Sequence, residues 1–248
     1  MNRLRLLATA LTFLTRLPVA RFAYPDELSL ARSARYFPLV GVIVGAIGAA
    51  IFALCSLAFT PFLSAAMTIA ALVIVTGAFH EDGLADTADG LGGGMSVERK
   101  LEIMKDSRIG SYGAAALVLS LLLRIGALMA LPPPAALAAL IVAHSLARTS
   151  SLWLTLALPY VRVGSNKPMA DALGWSEVIE GTAWALAICA VASWWYPATV
   201  VVALMAIGVA WLAGRYFRAQ LCGITGDTLG AANQTVEIAV LLSFAALL

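Results

Sequence analysis

Seven apolar stretches, each close to the length that crosses a bilayer, punctuate this 248-residue chain and leave it few possible architectures. They run over Phe37–Phe59, Phe62–Phe79, Tyr112–Leu131, Ala135–Leu158, Val178–Trp195, Ala198–Ala213 and Leu229–Leu248. A hydrocarbon layer of about 30 Å takes about 20 helical residues, with a working range of about 17 to 25. The sixth stretch is short, and the seventh has polar residues in its first half. Composition agrees, with 61% of residues hydrophobic and 12% charged. A soluble domain carries about twice that charged fraction. The expected architecture is an all-α polytopic membrane bundle of about six or seven transmembrane helices, a single domain over residues 1–248. Thr60-Pro61, Pro132-Pro133-Pro134 and Tyr196-Pro197 form tight uncharged connections. Proline suits such turns because it cannot continue the preceding helix without cost.

The basic residues then orient the bundle. Arg3, Arg5, Arg16, Arg21, Arg32 and Arg35 precede the first stretch, and Arg99, Lys100, Lys105 and Arg108 separate the second from the third. Arg162 and Lys167 follow the fourth, and Arg215 and Arg218 follow the sixth. Every second connection is basic and the intervening ones are uncharged, which is the positive-inside pattern. It puts residues 80–110, the Pro159–Ser176 loop and the Arg215–Asp227 loop at the cytoplasmic face. Within the N-terminal segment 1–36, the stretch Asn2–Leu17 is apolar and arginine-capped but short for a span, and reads as an amphipathic interfacial helix. No signal peptide is expected, since Met1–Leu17 lacks a small-residue cleavage site. Cys55, Cys189 and Cys222 form no Cys-x-x-Cys pair and read as small hydrophobes rather than zinc or disulfide ligands.

Against this sparse charge, His80-Glu-Asp82-Gly-Leu-Ala-Asp86-Thr-Ala-Asp89-Gly90 is conspicuous. In a helix, Asp82, Asp86 and Asp89 fall at i, i+4 and i+7 and share a face. Two carboxylates about 6 Å apart repel by roughly 3 kcal/mol at an effective dielectric of about 20. A divalent cation turns that repulsion into coordination, and oxygen-only ligands favour Mg²⁺ or Mn²⁺ over zinc. The glycines of Gly90–Gly94 are expected to break the helix and to lie against phosphate oxygens. Next, Ser96 reads as the N-cap of a short helix, on which Glu98, Glu102 and Asp106 form a second acidic face. Ion pairs with Arg99, Lys100 or Lys105 are an equal reading of Glu98 and Glu102. Arg108, beside Gly110, suits a phosphate.

Two arginines, Arg124 and Arg148, fall inside apolar stretches. Buried charge of this kind usually marks a polar interior, although Arg148, in the strip His144-Ser145-Leu-Ala-Arg148-Thr149-Ser150, has the option of snorkelling to the cytoplasmic side. In the last stretch Gly226, Gly230, Asn233 and Glu237 recur every three or four residues and make a small, polar helix face. Asp227 or Thr228 is the candidate cap of that helix. Asn233, Gln234 and Glu237 are expected to face the same cavity as the aspartates. Clustered oxygen ligands, glycines and arginines together fit metal-assisted transfer of a phosphoryl-linked group, in which positioning and charge neutralisation do most of the catalysis.

The motif His80-x-Asp82-Gly83-Leu84-x-Asp86-x-x-Asp89-Gly90 resembles the signature of the cobalamin synthase family. The likeness extends through Phe13-Leu-Thr-Arg16-Leu-Pro18-Val, Phe37-Pro-Leu-Val-Gly41, Glu102-Ile-Met-Lys-Asp106-Ser-Arg108-Ile-Gly110 and Gly226-Asp227-Thr228-Leu-Gly230-Ala. Val163-Gly-Ser-Asn-Lys-Pro-Met departs from the glycine-rich continuation expected after Pro159-Tyr-Val-Arg162. The resemblance implies transfer of the adenosylcobinamide-phosphate group from adenosylcobinamide-GDP to α-ribazole or its 5′-phosphate, with Mg²⁺ as cofactor and GMP released. It implies metal binding by Asp82, Asp86, Asp89, Glu102 and Asp106, with those aspartates or His80 serving the proton transfer. Substrate contacts are expected from Arg108, Gly110, Arg148, Gly226, Asp227, Asn233 and Glu237, and attack through the ribazole 5′-hydroxyl. The bilayer is the other expected partner, nucleic acid is not one, and homo-oligomerisation is left open.

Two rivals remain. A CDP-alcohol phosphotransferase is also an aspartate-rich membrane enzyme, but its Asp-Gly-x-x-Ala-Arg pattern is missing, since Leu-Gly-Gly-Gly follows Asp89-Gly90. A divalent-cation transporter would place acidic residues at mid-membrane in several spans and open on both sides. Here the aspartates gather at one face.

Overall fold

The computed structural model describes residues 2–161 and 172–248, and every described element is helical apart from a single isolated β-bridge. Arg162, Lys167 and the Val163–Met169 stretch lie outside the described residues. The helices are α1 (Arg3–Leu14), α2 (Glu27–Ser33), α3 (Phe37–Cys55), α4 (Pro61–Thr76), α5 (Phe79–Gly93), α6 (Val97–Ile103), α7 (Ser111–Ala130), α8 (Pro133–Ala157), α9 (Trp175–Trp195), α10 (Thr199–Leu221) and α11 (Gly226–Leu247). Six helical segments are long and apolar enough to cross a membrane: Glu27–Cys55, which joins α2 to α3 through a 3-10 turn, and α7 to α11. This is the all-α polytopic bundle expected.

Boundaries differ from the sequence reading at three places. The sixth stretch does not stop at Ala213 but continues to Leu221, taking Arg215 and Arg218 onto the helix. Long arginine stems let a helix carry charge past the apolar boundary, and Arg215 lies over the Trp211 ring, 5.1 Å from its centroid. The last helix begins at Gly226, capped by Thr225 rather than by Asp227 or Thr228. Thr225 Oγ1 accepts the Thr228 N–H at 3.2 Å, and Thr228 Oγ1 accepts the Thr225 N–H at 2.8 Å. This reciprocal pair satisfies two orphan donors.

The third difference matters most. The second stretch does not run through to Phe79. Helix α4 ends at Thr76, Gly77 and Ala78 both take left-handed backbone, and α5 leaves at 90°. Gly77 N–H reaches Ile74 O at 3.1 Å and Ala78 N–H reaches Val73 O at 2.9 Å, a Schellman closure. Gly77 enters that region freely, whereas Ala78 bears a cost of about 1–2 kcal/mol. The two helices count as a seventh span only if taken together as one broken one.

Small residues set the packing. Helix α8 is the most buried span and carries Ala135, Ala136, Ala139, Ala143 and Ala147 in the core. Helix α3 meets it through Gly41 and Gly45; a Cβ at Gly41 would collide with the His144 carbonyl, and one at Gly45 would stand 2.6 Å from Ile141 Cα. Between helices in lipid there is little hydrophobic drive, so van der Waals contact of close backbones does the work. Helices α9 and α10 turn Leu186, Leu204 and Trp211 outward, as lipid-facing helices do. Trp175 at one end of α9 and Trp194 and Trp195 at the other are exposed, and tryptophans at span ends are what aromatic belts are made of. Helix α1, 12 residues long and so about 18 Å, is too short to span. We expect Gly45→Leu to abolish recovery of monodisperse protein in detergent. Gly126→Leu, with nothing within 4 Å of its added Cβ, should melt within about 1 °C of wild type in the same thermal scan, as surface substitutions do.

Candidate active site

The sharp turn at Gly77–Ala78 lays α5 against α7 and α11, and close backbone contact fixes it there. A Cβ at Gly83 would stand 2.7 Å from Asp227 O and 3.2 Å from Gly230 Cα, so only glycine lets α5 and α11 touch. On this helix Asp82 is exposed, Asp86 half-buried and Asp89 buried. One face therefore passes from open to covered along its length, because the start of α7 closes over its far end. There Asp89 Oδ2 accepts Gly110 N–H at 2.7 Å and Oδ1 accepts Gly113 N–H at 2.8 Å. A carboxylate at a helix N-terminus satisfies orphan donors and meets the positive end of the dipole.

Asp86 lies within electrostatic reach of Asp82, Asp89 and Asp227, a set with no cation in it. The remaining predicted ligands are occupied elsewhere. Glu102 is exposed and takes Arg99 Nη1 at 2.7 Å. Asp106 receives Arg108 Nε at 3.0 Å and Nη2 at 2.6 Å. Those hydrogen bonds hold its carboxylate down at about 2, so it stays ionised at working pH. Among the described residues no three His, Cys, Asp or Glu side chains converge as a ready-made metal cage. The glycines after Asp89 form no phosphate loop, because α5 continues to Gly93. Gly90 is needed for packing instead: a Cβ there would strike Met104 and the Lys100 carbonyl.

Besides an apolar cavity between α5, α10 and α11 lined by Leu84, Leu91 and Phe217, two cavities with an arginine in their lining border α5. An open one of about 430 Å³ is bounded by Asp89, Asp106, Arg108, Gly110 and Tyr112. A deeper one of about 260 Å³ lies at the other end, bounded by Phe79, His80, Arg148, Gly226 and Asn233. Its outer edge is set by Tyr160, whose hydroxyl accepts Gly226 N–H at 2.9 Å. The strand-like bridge between Tyr160 and Ile224 clips the end of α8 to the α10–α11 turn. Arg108 and Gly110 thus belong to one cavity, and Arg148, Gly226 and Asn233 to the other.

Below the aspartates is a buried ionic network. Arg124 Nη1 lies 3.0 Å from Glu81 Oε1 and 3.2 Å from Glu237 Oε1. His144 Nδ1 is 3.1 Å from Glu237 Oε2, and Arg148 Nη1 donates to the His144 carbonyl at 3.1 Å. Gln234 bridges Ser120 and Glu81. Arg148 therefore does not snorkel; it is 1% exposed, as is Arg124. Glu237 belongs to this network and not to a substrate cavity. Glu81 is the participant that sequence reasoning passed over. Its signal was its offset from the aspartate face, which turns it inward. Several polar atoms stay unpartnered among the described residues: Arg148 Nε and Nη2, and both amide atoms of Asn233. A buried polar group left unmatched costs about 1–3 kcal/mol.

Fold and site together define a polytopic membrane enzyme with an acidic cluster between two cavities, each containing an arginine. The family model described as cobalamin-5-phosphate synthase matches residues 6–245, and the chain belongs to that family, a transferase of cobalamin biosynthesis. Relatives named adenosylcobinamide-GDP ribazoletransferase include one from Ralstonia pickettii (strain 12J), 41% identical over 97% of this chain and 96% of the relative. Another, from Shewanella halifaxensis (strain HAW-EB4), is 43% identical over 97% and 95%. A third, from Leptothrix cholodnii (strain ATCC 51168 / LMG 8142 / SP-6), is 44% identical over 98% and 95%. No solved structure is a significant match.

Arg124→Met leaves Glu81 and Glu237 facing each other without their shared cation. The expected cost is about 3–5 kcal/mol, the usual result of stripping one partner from a buried pair. It should appear as a large fall in melting temperature in detergent. Adding Glu81→Gln to that variant should recover part of the loss, since Glu237 keeps His144.

Proposed function

We propose that the chain transfers the adenosylcobinamide-phosphate group from adenosylcobinamide-GDP to a ribazole acceptor and releases GMP, with its active site at the cytoplasmic face of a bacterial inner membrane. The observation that carries this reading is the acidic face of α5, where Asp82 and Asp86 stand beside Asp89 between two arginine-bearing cavities, in a chain of this family. Asp82 and Asp86 would hold Mg²⁺. Their donor set is all oxygen, and Asp82 is open to solvent. Magnesium is usually held by one or two carboxylates plus substrate phosphates, not by a cage of protein groups. Bound there, the ion would neutralise diphosphate charge.

The protein's own groups supply the rest. Asp89 holds Gly110 and Gly113, and so fixes the start of α7 beside the open cavity. Arg108, clasped by Asp106 at that cavity, is positioned to meet the diphosphate, and a carboxylate shared with a phosphate keeps the guanidinium aimed. An acceptor hydroxyl attacks the phosphorus on the cobinamide side; the new O–P bond forms as the bridging bond to GMP breaks. Its proton passes to a carboxylate of the Asp82–Asp86 pair. The family's description as a cobalamin-5-phosphate synthase supports a nucleophile other than the 5′-hydroxyl. An acceptor already phosphorylated at its 5′-position has no free hydroxyl there, so a secondary ribose hydroxyl attacks.

The test is purified chain in detergent with adenosylcobinamide-GDP, ribazole and Mg²⁺. GMP and a corrinoid of cobalamin mass should appear together; CMP release from a CDP-alcohol substrate would favour the rival phosphotransferase. Asp82→Asn and Asp86→Asn should each lower kcat at least 100-fold, equivalent to about 2.7 kcal/mol. Arg108→Gln should mainly raise KM for the nucleotide donor. Near-normal turnover in both aspartate variants would end the metal assignment.

A further inference from the structure

The deep cavity has features that the proposed phosphoryl chemistry does not use. Its volume of about 260 Å³ falls just below the usual range for small-molecule pockets, about 300–1,000 Å³. A corrin macrocycle with its side chains does not fit such a space; a nucleoside does. One wall is aromatic: Phe13 and Phe37 stack with centroids 5.9 Å apart, and Phe79 meets Phe13 edge-on at 5.4 Å. The same lining includes Arg148, with Nε and Nη2 unpartnered, and Asn233, 0% exposed with both amide atoms unpartnered. An apolar box with a few convergent polar groups is the usual form of a small-molecule site.

We propose that this cavity seats the acceptor nucleoside. Its fused aromatic base lies among the phenylalanines, and Arg148 and Asn233 hydrogen-bond the ring nitrogen and ribose hydroxyls. That occupant rests on the ribazoletransferase reading. A guanine base is the poorer match, because its several edge donors need more acceptors than Asn233 Oδ1 and the carboxylate on this lining, Glu27, is exposed. The position also suits an acceptor. His80 and Gly226 line the cavity next to Asp82 and Asp227, so a ribose reaching out of it emerges beside the carboxylates. The Arg108 cavity lies at the other end of the same helix; His80 and Asp89 are about 13 Å apart along its axis at about 1.5 Å per residue. Acceptor and diphosphate therefore approach the aspartates from opposite ends.

Full-length chain in detergent tests this. Asn233→Leu keeps the volume and removes both polar atoms, so its melting temperature should not fall. Its KM for ribazole should rise tenfold or more, with KM for adenosylcobinamide-GDP within twofold. Free 5,6-dimethylbenzimidazole should inhibit wild type competitively against ribazole and not against the nucleotide donor. A shift confined to the donor's KM, no shift in either, or competition with the donor would overturn the proposal. If wild type releases no GMP, the ribazoletransferase reading fails by itself, and equilibrium dialysis of ribazole decides the cavity. Binding weakened tenfold by the substitution supports it; equal binding, or none to wild type, overturns it. Should Asn233→Leu not fold, Ser151→Leu, which fills the same cavity from α8, is assayed identically.

Discussion

Two carboxylates and two guanidiniums share the low-dielectric centre of this bundle, and its assembly depends on their balance. Glu81 comes from α5, Arg124 from α7, Arg148 from α8 and Glu237 from α11, with His144 and Gln234 filling the remaining contacts. Removing each charge from water costs several kcal/mol, and a lone ionised side chain at the centre of a span is costly even on lenient insertion scales. Those costs are offset only when all four helices are in place and in register. Sliding one of them by a turn would strand a charge in hydrocarbon. The cluster is therefore better understood as a device for specifying one arrangement than as a source of net stability. What it specifies is the seat of α5, and with it the direction of the aspartates.

Much of this was legible in the chain. Hydropathy and alternating charge indicated the bundle, and the spacing of Asp82, Asp86 and Asp89 indicated their common face. The polar strip around His144 and Arg148, and the stripe from Gly230 to Glu237, proved to be buried helix faces. What was not legible shares one cause: the partner was distant in sequence. Glu81 looked like a minor neighbour of Asp82 until Arg124 stood beside it. Gly90 looked like part of a phosphate loop because its glycines were adjacent in sequence, yet it is Met104 and Lys100 that require it to be small. The break after Thr76 was hidden because alanine at position 78 gives no local sign of left-handed backbone. Arg108 and Glu102 could be placed near the motif, but which carboxylate each arginine would take was a matter of geometry.

The two cavities differ in kind, and the difference follows from the helices that bound them. The one beside Arg108 lies at the mouth of α7, where loop backbone and exposed side chains suit a strongly hydrated, highly charged group. The one beside Arg148 is walled by spans and by α1, and is largely apolar. Helix α1 is too short to cross the membrane, but Phe13 and Leu14 from its end close the wall over that cavity. Arg16 backs this arrangement: its N–H donates to Val75 O at 2.7 Å, and its side chain lies over Gly77. The N-terminal segment is thus tied to the turn from which the acidic helix starts.

That turn has a mechanical consequence. A span changes its tilt to match bilayers of different thickness, and anything rigidly continuous with it swings through the same angle. Because α5 meets α4 across two left-handed residues, its orientation is inherited from α7 and α11 and not from the helix that precedes it. A tilt of α4 therefore reaches the carboxylates through α7, against which α4 packs, and not along a continuous helix axis.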